Sequence, residues 1–257
     1  MEIRVLGCSG AEFPGHNPPG FMVNGKILLD AGSVTTVLTE KEQFRIRNIF
    51  ITHAHLDHVL GIPFLADNLI VRKGNYHVNI MGIRSSIKTV RRSLLNNAIW
   101  PDFTVIPSPQ DAVLTLLELK EGRPVIMEAC TCTVTPVRVN HSVPAVGYLV
   151  EDGTGGTLFY TGDTGPTNGT WEKLRKKHIN ALIIEVSFPN RMQEMAIVTG
   201  HLTAGLLREE LAKLGYLPER IYVTHPKPQY LETIRKELSV LRIRNLRLLK
   251  DGETIRV

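Results

Sequence analysis

The stretch FITHAHLDHVLG, residues 50–61, carries three of the nine histidines of this 257-residue chain, together with one aspartate. These four side chains are His53, His55, Asp57 and His58. The apolar run NIFIT, residues 48–52, stands directly before them and predicts a short buried strand. Imidazoles and a carboxylate at the end of a strand are typical of a metal site, whereas an ordinary turn or core seldom needs so many of these groups.

The spacing within this stretch suits two metal ions. In an extended segment, His53 and His55 point to the same side about 6–7 Å apart. Two imidazoles at that separation can reach one ion through bonds of about 2.0–2.1 Å. A helix that begins near Asp57 would aim Asp57 and His58 at a second ion beside the first. A single ion seldom needs all the donors that this chain offers, so we expect a pair of ions.

Three further candidate ligands also follow apolar strands. His141 follows VRVN, Asp163 follows TLFYTG, and His225 follows RIYVT. Strands whose carboxyl ends share one edge of a sheet bring such residues together, and α/β proteins commonly bind ligands at that edge. We therefore expect one pocket that contains five histidines and two aspartates. These donors are preferred by zinc and also suit manganese or iron.

Strands and helices alternate in both halves of the sequence, which predicts an α/β fold with sheets covered by helices. Two strand-rich halves of similar plan favour two sheets packed face to face with helices outside, an αββα sandwich. We expect helices over residues 33–43 and 84–100, and a final strand or hairpin over residues 246–255. No linker or shift in composition divides the chain, so we expect a single domain over residues 1–257.

Charge, hydropathy and cysteine content bound the class of protein. The formal net charge of +5 permits an anionic substrate or RNA without requiring one. The sequence shows neither a signal peptide nor an apolar segment of the roughly 18 residues that a membrane span needs, so we expect a soluble cytoplasmic protein without membrane contact. Cys130 and Cys132 are expected to be buried thiols rather than a disulfide or metal ligands.

The pattern H-x-H-x-D-H in HAHLDH resembles the signature of the metallo-β-lactamase fold. His141, Asp163 in YTGDTG and His225 follow in the order of that family, so the resemblance extends from about Leu6 to the end of the sequence. It implies an αββα sandwich, in agreement with the strand pattern. It also implies one metal held by His53, His55 and His141, a second held by Asp57, His58 and His225, and Asp163 as the bridging ligand.

Within that superfamily, the chain is similar to the class II cyclic nucleotide phosphodiesterases. Their signature H-x-H-L-D-H-x-x-G is complete from His53 to Gly61, and LLDAGS, IIEVSFPNR, GHLT and THPKP also look like that family, although Pro226 replaces its common leucine. The resemblance implies hydrolysis of a 3′,5′-cyclic nucleotide, cAMP or cGMP, to the 5′-monophosphate by water activated between two divalent metal ions. Zinc is the first expectation for these ions, with manganese or iron as alternatives.

The tRNA 3′-processing endonuclease RNase Z is the alternative resemblance. It shares YTGDT and a motif similar to GHLT, but it usually has glycine in place of Leu56, and it carries a Gly/Pro-rich arm for tRNA that this sequence lacks. A cyclic nucleotide is therefore the expected partner, and RNA is the second choice. The chain could also be another phosphodiesterase of the same fold, or a binding module that keeps a degenerate hydrolase fold. The intact set of metal ligands argues against a binding module. Homodimers are common for this fold.

His201 in TGHLT is the candidate proton donor to the leaving oxygen. Its position alone suits equally the capping of the helix that follows. The resemblance favours catalysis, because the matching histidine of RNase Z donates a proton and pairs with a glutamate after a strand. Glu185, at the end of ALIIE, stands where that glutamate is expected, and a carboxylate partner raises the pKa of an imidazole. We therefore assign catalytic roles to Asp57, His201 and Glu185, and a supporting role to Asp30 as an orienting partner of a ligand histidine.

Overall fold

The computed structural model describes residues 1–72 and 76–257. Across this part of the chain, two mixed seven-stranded sheets pack face to face, and helices cover both outer faces. The expected αββα sandwich is therefore confirmed.

The described strands, in chain order, are β1 (Glu2–Gly7), β2 (Gly20–Val23), β3 (Ile27–Leu29), β4 (Asn48–Phe50), β5 (Val78–Ile83), β6 (Leu114–Leu119), β7 (Val125–Met127), β8 (Cys132–Arg138), β9 (Val146–Asp152), β10 (Thr157–Tyr160), β11 (Ala181–Glu185), β12 (Arg220–Thr224), β13 (Leu246–Leu248) and β14 (Thr254–Arg256). The first sheet has the order β14-β1-β2-β3-β4-β5-β6, and the second has the order β13-β12-β11-β10-β9-β8-β7.

The described α-helices are α1 (Val34–Val37), α2 (Glu40–Gln43), α3 (Leu56–Val59), α4 (Gly61–Ile70), α5 (Arg84–Thr89), α6 (Gly169–Leu174), α7 (Gln193–Thr199), α8 (Ala204–Leu214) and α9 (Leu231–Val240). A π-helical turn, Val90–Leu94, continues α5, and short 3₁₀ turns lie at Glu128–Cys130, Asn190–Met192 and Pro228–Tyr230. Helices α1 to α5 cover the first sheet, whereas α6, α8 and α9 cover the second.

Alternate side chains of the strands enter different layers of the molecule, because successive residues of a strand point to opposite faces. In β4, Ile49 packs under the outer helices and Phe50 lies between the sheets. In β10, Phe159 packs outward against Trp171 of α6, and Tyr160 lies between the sheets. Both faces of each sheet are therefore covered, which explains why these strands are almost continuously apolar in sequence.

Parallel pairing brings the carboxyl ends of the central strands to one edge of the sandwich. In the first sheet, β3 and β4 are parallel, with Leu29 opposite Phe50. In the second sheet, β11 is parallel to both β10 and β12, with Glu185 opposite Thr224. The residues that follow these strands therefore leave each sheet at a common edge, as the sequence pattern predicts.

Hydrogen bonds tie the two sheets together at this edge. The amide of Val146 donates to the carbonyl of Thr52 at 3.1 Å. The hydroxyl of Tyr148 donates to the carbonyl of Ile51, and that of Tyr160 donates to the carboxylate of Asp30, both at 2.7 Å. Side chains contributed by different sheets are thus held in a fixed relation to one another.

The expected helices over residues 33–43 and 84–100 are shorter than predicted. The first is two helices, because Leu38 is extended and Thr39 starts α2 with a capping box that includes Glu42. The second ends at Leu94, since the side-chain oxygen of Asn96 accepts hydrogen bonds from the following amides instead of allowing the helix to continue.

The chain end also differs from the expected hairpin. β13 pairs in parallel with β12 of the second sheet, whereas β14 pairs antiparallel with β1 of the first. Strands β6 and β7 were not expected; both lie at sheet edges, where side chains such as Ile126 are exposed and the apolar pattern is weak.

Cys130 and Cys132 form a disulfide, so the expectation of two buried thiols is wrong. Thr131 between them adopts a left-handed conformation with φ of 51°, which turns the chain and brings the two Cα atoms to 5.3 Å. Within residues 1–72 and 76–257, every helix is too short or too polar to cross a bilayer.

Candidate metal centre

One group of donor atoms comes from His53, His55, His141 and Asp163, and these atoms all lie within 4.8 Å of one another. His53 and His55 follow β4 in an extended segment, since α3 begins only at Leu56. His141 follows β8 from the second sheet, and its Nε2 lies 3.2 Å from Nδ1 of His55 and 3.9 Å from Oδ2 of Asp163. The extended spacing of the two local histidines was predicted, and it brings their rings to a centroid separation of 4.6 Å.

A second group comes from Asp57, His58, Asp163 and His225, again with donor atoms within 4.8 Å of one another. Asp57 and His58 lie in the first turn of α3, as the sequence predicts. Nε2 of His225 lies 3.3 Å from Oδ2 of Asp57 and 3.3 Å from Oδ1 of Asp163. Asp163 therefore stands between the two groups, with one carboxylate that faces donors from both.

The loop that carries Asp163 requires a glycine. Gly162 adopts a left-handed φ of 59°, and a Cβ at this position would lie 2.7 Å from Cγ2 of Thr52 in the first sheet. The loop after β10 can therefore press against the strand end after β4 only because Gly162 has no side chain. This close approach is what carries Asp163 from the second sheet to the histidines of the first.

The donor atoms at the centre of the cluster fit a divalent cation. Nε2 of His53, Nε2 of His58 and Oδ1 of Asp163 are buried and have no hydrogen-bond partner in the described part of the chain. Unpaired buried polar atoms cost free energy, and nitrogen and oxygen donors in this number are what zinc and similar ions bind. The chain thus positions histidine and aspartate side chains to bind metal.

The ionisation of the first group also suits metal binding. Burial, together with neighbouring imidazoles, lowers the pKa of His53, His55 and His141, which keeps these rings neutral. Burial alone would raise the pKa of Asp163, but His225 and His58 hold it well below its usual range. A charged carboxylate beside neutral imidazoles is the state in which these groups ligate an ion.

His53 and His58 of the first sheet are oriented by Asp30, whose carboxylate is fully buried after β3. Asp30 Oδ2 lies 2.8 Å from Nδ1 of His58, and the hydroxyl of Thr52 lies within 3.1 Å of both Asp30 oxygens. Since Thr52 donates to Asp30, its oxygen can accept from Nδ1 of His53 at 3.0 Å. Both rings therefore present Nε2 to the donor groups, and the supporting role expected for Asp30 agrees with this geometry.

His225 and His141, which belong to the second sheet, are oriented by neutral groups. The hydroxyl of Ser187 lies 2.8 Å from Nδ1 of His225 and 2.8 Å from Oε2 of Glu185. Nδ1 of His141 donates to the carbonyl of Gly200 at 2.8 Å. Each of these contacts occupies Nδ1 and leaves Nε2 for the centre.

His201 and Glu185 form the pair that the sequence predicts. Nδ1 of His201 lies 2.6 Å from Oε1 of Glu185, and the carboxylate also accepts from the amides of Thr164 and Leu202. Burial disfavours a charge on His201, but Glu185 more than offsets it and raises the pKa of His201 to about 9. His201 lies beside the donor groups, with its ring centroid 5.1 Å from that of His141 and 5.5 Å from that of His225.

All of the predicted site residues meet at this edge, whereas the other histidines do not take part. In the described part of the chain, the donor groups do not include His16, His77 or His178. Sequence reasoning missed Thr52, Ser187 and Tyr160. Thr52 immediately precedes His53, and Ser187 is two positions after Glu185. A hydroxyl at such a position has no distinctive signal in a single sequence.

Comparison with known proteins agrees with this geometry. A β-lactamase superfamily domain profile matches residues 26–226. The chain is 27% identical to a 3′,5′-cyclic-nucleotide phosphodiesterase of Aliivibrio fischeri, in an alignment that covers 83% of this chain and 75% of the relative. It is 30% identical to a ribonuclease Z of Bradyrhizobium sp. (strain ORS 278), in an alignment that covers 79% of this chain and 83% of the relative.

The crystal structure of unliganded yeast PDE1 is similar in fold. It superposes with a TM-score of 0.84 and 18% sequence identity, and the match covers 100% of this chain and 99% of that one. At this level of identity, the likeness establishes the fold and not the substrate.

Proposed function

This chain belongs to the metallo-β-lactamase superfamily, as a metal-dependent hydrolase, and we propose that it is a phosphodiesterase that opens 3′,5′-cyclic nucleotides to 5′-monophosphates. The observation that carries this proposal is the position of the His201–Glu185 pair, 2.6 Å apart, beside two donor groups that share Asp163. Such a site combines affinity for a phosphate with a proton donor for an alkoxide leaving group.

We assign one ion to His53, His55, His141 and Asp163, and a second ion to Asp57, His58, His225 and the same Asp163. When bound, divalent ions of this kind supply Lewis-acid chemistry, because they stabilise negative charge on phosphoryl oxygens and make water more acidic. Zinc suits this donor set best, and manganese and iron are the alternatives. The buried unpaired atoms of His53, His58 and Asp163 support this assignment.

His201 supplies the proton that the leaving 3′-oxygen requires. Its Nδ1 is occupied by Glu185, so Nε2 is the nitrogen that can donate to substrate. With a pKa of about 9, the ring is largely protonated at neutral pH before the reaction begins. Glu185 is itself fixed by two backbone amides and by Ser187, so the ring keeps one orientation through the reaction.

The proposal is tested by direct assay. Purified protein is loaded with zinc or manganese, and 3′,5′-cAMP, a precursor tRNA and bis(p-nitrophenyl) phosphate are assayed in parallel. We expect selective hydrolysis of the cyclic nucleotide, its loss in Asp163→Ala, and its retention in the control His178→Ala, since His178 is exposed and pairs with Glu219. Hydrolysis of bis(p-nitrophenyl) phosphate alone would overturn the assignment of a cyclic nucleotide as substrate, but the protein would still be a metal-dependent hydrolase.

RNA 3′-end cleavage is the second candidate, favoured by the identity of 30% to a ribonuclease Z. An RNA substrate is held largely through its phosphates, so its binding weakens steeply as salt rises, whereas a cyclic mononucleotide carries one charge and binds with a shallow salt dependence. Cleavage of the precursor tRNA with a steep salt dependence would therefore replace the cyclic nucleotide as substrate. Binding of nucleotide by the metal-loaded protein without turnover would instead indicate a binding module.

A further inference from the structure

The helix that begins at the metal centre exposes large apolar side chains. Helices α3 and α4 are joined by Leu60, whose φ of −54° and ψ of −35° are helical, so the chain continues in one direction away from the site. Leu56 is 59% exposed and Phe64 is 44% exposed along this helix. An exposed apolar surface beside a binding site is a mark of ligand or partner contact.

Phe64 lies on the same face of this helix as Asp57. The two residues are seven positions apart, which is two turns or about 10 Å along the axis. Helical side chains lean towards the amino end of the helix, which is the end that carries Asp57. The carboxylate of Asp57 belongs to the donor group that contains His58 and His225, so this helix face leads from Phe64 to the metal centre.

Trp100 enlarges this surface into an aromatic pair. Its ring lies against Phe64 with a centroid separation of 5.0 Å and an interplanar angle of 64°. The pair is positioned by the chain reversal after Leu94, where Asn97 adopts a left-handed φ of 62° and its amide donates to the carbonyl of Trp100. The aromatic surface therefore comes from two separate segments that fold onto one another.

We propose that Phe64 and Trp100 receive the base of the nucleotide while its phosphate lies at the donor groups. This inference rests on the proposed function and names the part of the substrate that the protein recognises. A nucleotide joins a phosphate to a planar aromatic base. The helix that carries Asp57 in the donor group also carries Phe64 on the same face, and Phe64 packs against Trp100. Aromatic side chains bind bases by stacking, which tolerates any base because each has a π-face.

A second copy of the chain is the competing occupant of this face. Val71, which is 82% exposed at the far end of α4, lies seven positions after Phe64 and so on the same face of the helix. A partner helix packed along this face would cover both Phe64 and Val71, whereas a base at Phe64 leaves Val71 free. Val71→Ala is therefore the matched control for Phe64→Ala.

The first test is steady-state kinetics of the metal-loaded protein with 3′,5′-cAMP and with a base-free ribose 3′,5′-cyclic phosphate. We expect Phe64→Ala to raise KM for cAMP roughly 10-fold with kcat within about threefold. The same variant should leave KM for the base-free ester unchanged, and Val71→Ala should change neither. An unchanged KM for cAMP in Phe64→Ala, beside an active wild type, would overturn the inference and leave the proposed function standing.

The second test does not depend on turnover. Titration of 5′-AMP into the metal-loaded protein should quench tryptophan fluorescence, and Trp100→Phe should abolish that quench, since the remaining Trp171 is only 1% exposed. A wild type that fails to hydrolyse cAMP yet shows this quench would refute the proposed function and support the base site. Equal quenching by 5′-AMP in Trp100→Phe would overturn the base site. The base site would also be overturned if the wild type has the mass of a dimer in solution and both Phe64→Ala and Val71→Ala have the mass of a monomer.

Discussion

Apart from Asp163, each sheet brings one buried carboxylate to the site, Asp30 or Glu185, and each of these two carboxylates serves two imidazoles. In the first sheet, Asp30 contacts His58 directly at 2.8 Å and reaches His53 through the hydroxyl of Thr52. In the second sheet, Glu185 contacts His201 directly at 2.6 Å and reaches His225 through the hydroxyl of Ser187. The two sheets thus repeat one hydrogen-bonded arrangement although their topologies differ.

The difference between the two arrangements lies in where the directly held ring points. Nε2 of His58 is buried and lies 3.4 Å from Asp163, within a donor group. His201 is 8% exposed and lies beside Phe188 at a ring separation of 5.7 Å. The same carboxylate–imidazole contact therefore prepares one ring for an ion and the other, in our proposal, for a proton.

Among the residues of these two arrangements, His201→Ala is expected to have the largest effect on turnover. Removal of the proton donor should lower kcat by roughly 10²–10⁴-fold while metal content stays the same. Steady-state assay and metal analysis of the purified variant measure both quantities, with His178→Ala as the control. Loss of metal would break the comparison, because donors of Glu185, His201 and His225 also lie within 4.8 Å of one another and would then form part of the metal site.

Asp30→Asn and Glu185→Gln should separate the two roles. Asparagine tolerates the left-handed φ of 56° at position 30, so the first variant should fold. It should lower metal affinity by about 10–100-fold and the free energy of unfolding by about 1–3 kcal/mol, because His58 loses its anionic partner. Glu185→Gln should lower turnover with a smaller change in metal affinity.

Metal titration and chemical denaturation measure these quantities. Asp152→Asn is the control, since Asp152 accepts several hydrogen bonds at the opposite edge of the sandwich and should affect stability alone. Equal losses of metal affinity in Asp30→Asn and Glu185→Gln would show that both carboxylates serve the metal centre.

Thr52→Val and Ser187→Ala should have smaller and similar effects. Each removes a neutral hydroxyl that lies between a carboxylate and a ligand histidine, so we expect metal affinity to fall by up to about 10-fold in both. Isothermal titration with zinc measures the change. A much larger loss in one variant would show that the two sheets do not orient their ligands in the same way.

The smallest effect is expected from Tyr160→Phe. This change removes one hydrogen bond from the second sheet to Asp30, at 2.7 Å, while the ring remains packed between the sheets. We expect the free energy of unfolding to fall by about 1 kcal/mol and turnover to stay within about threefold. A loss of metal affinity as large as that of Asp30→Asn would mean that Tyr160, and not the first sheet, sets the position of Asp30.

The predictable part of the site is the part that depends on strand ends. His53, His55, Asp57 and His58 are neighbours in sequence, so their convergence is local. His141, Asp163 and His225 are distant in sequence, and the structure brings them together, as expected, because each follows an apolar strand. Their distances, and the closeness of two sheets at Gly162, depend on packing that one sequence does not display.

Other features were unpredictable because they depend on long-range pairing. The segments of β13 and β14 look like one hairpin in sequence, yet Asp251 between them accepts from the amides of Cys8 and Asn17 and directs the chain from one sheet to the other. The bridge between Cys130 and Cys132 depends on the left-handed turn at Thr131, an unusual conformation for a β-branched residue.

The contacts that join the sheets at the site edge have a thermodynamic consequence. His53 and Asp57 belong to the first sheet, while His141, Asp163 and His225 belong to the second, so any ion held by these residues spans the interface between them. An ion that binds only the closed sandwich adds stability that grows with its concentration, by about 2.7 kcal/mol at 100 times Kd. Chelation and separation of the sheets are then linked equilibria, and the site edge is where hydrogen exchange should first accelerate when metal is withdrawn.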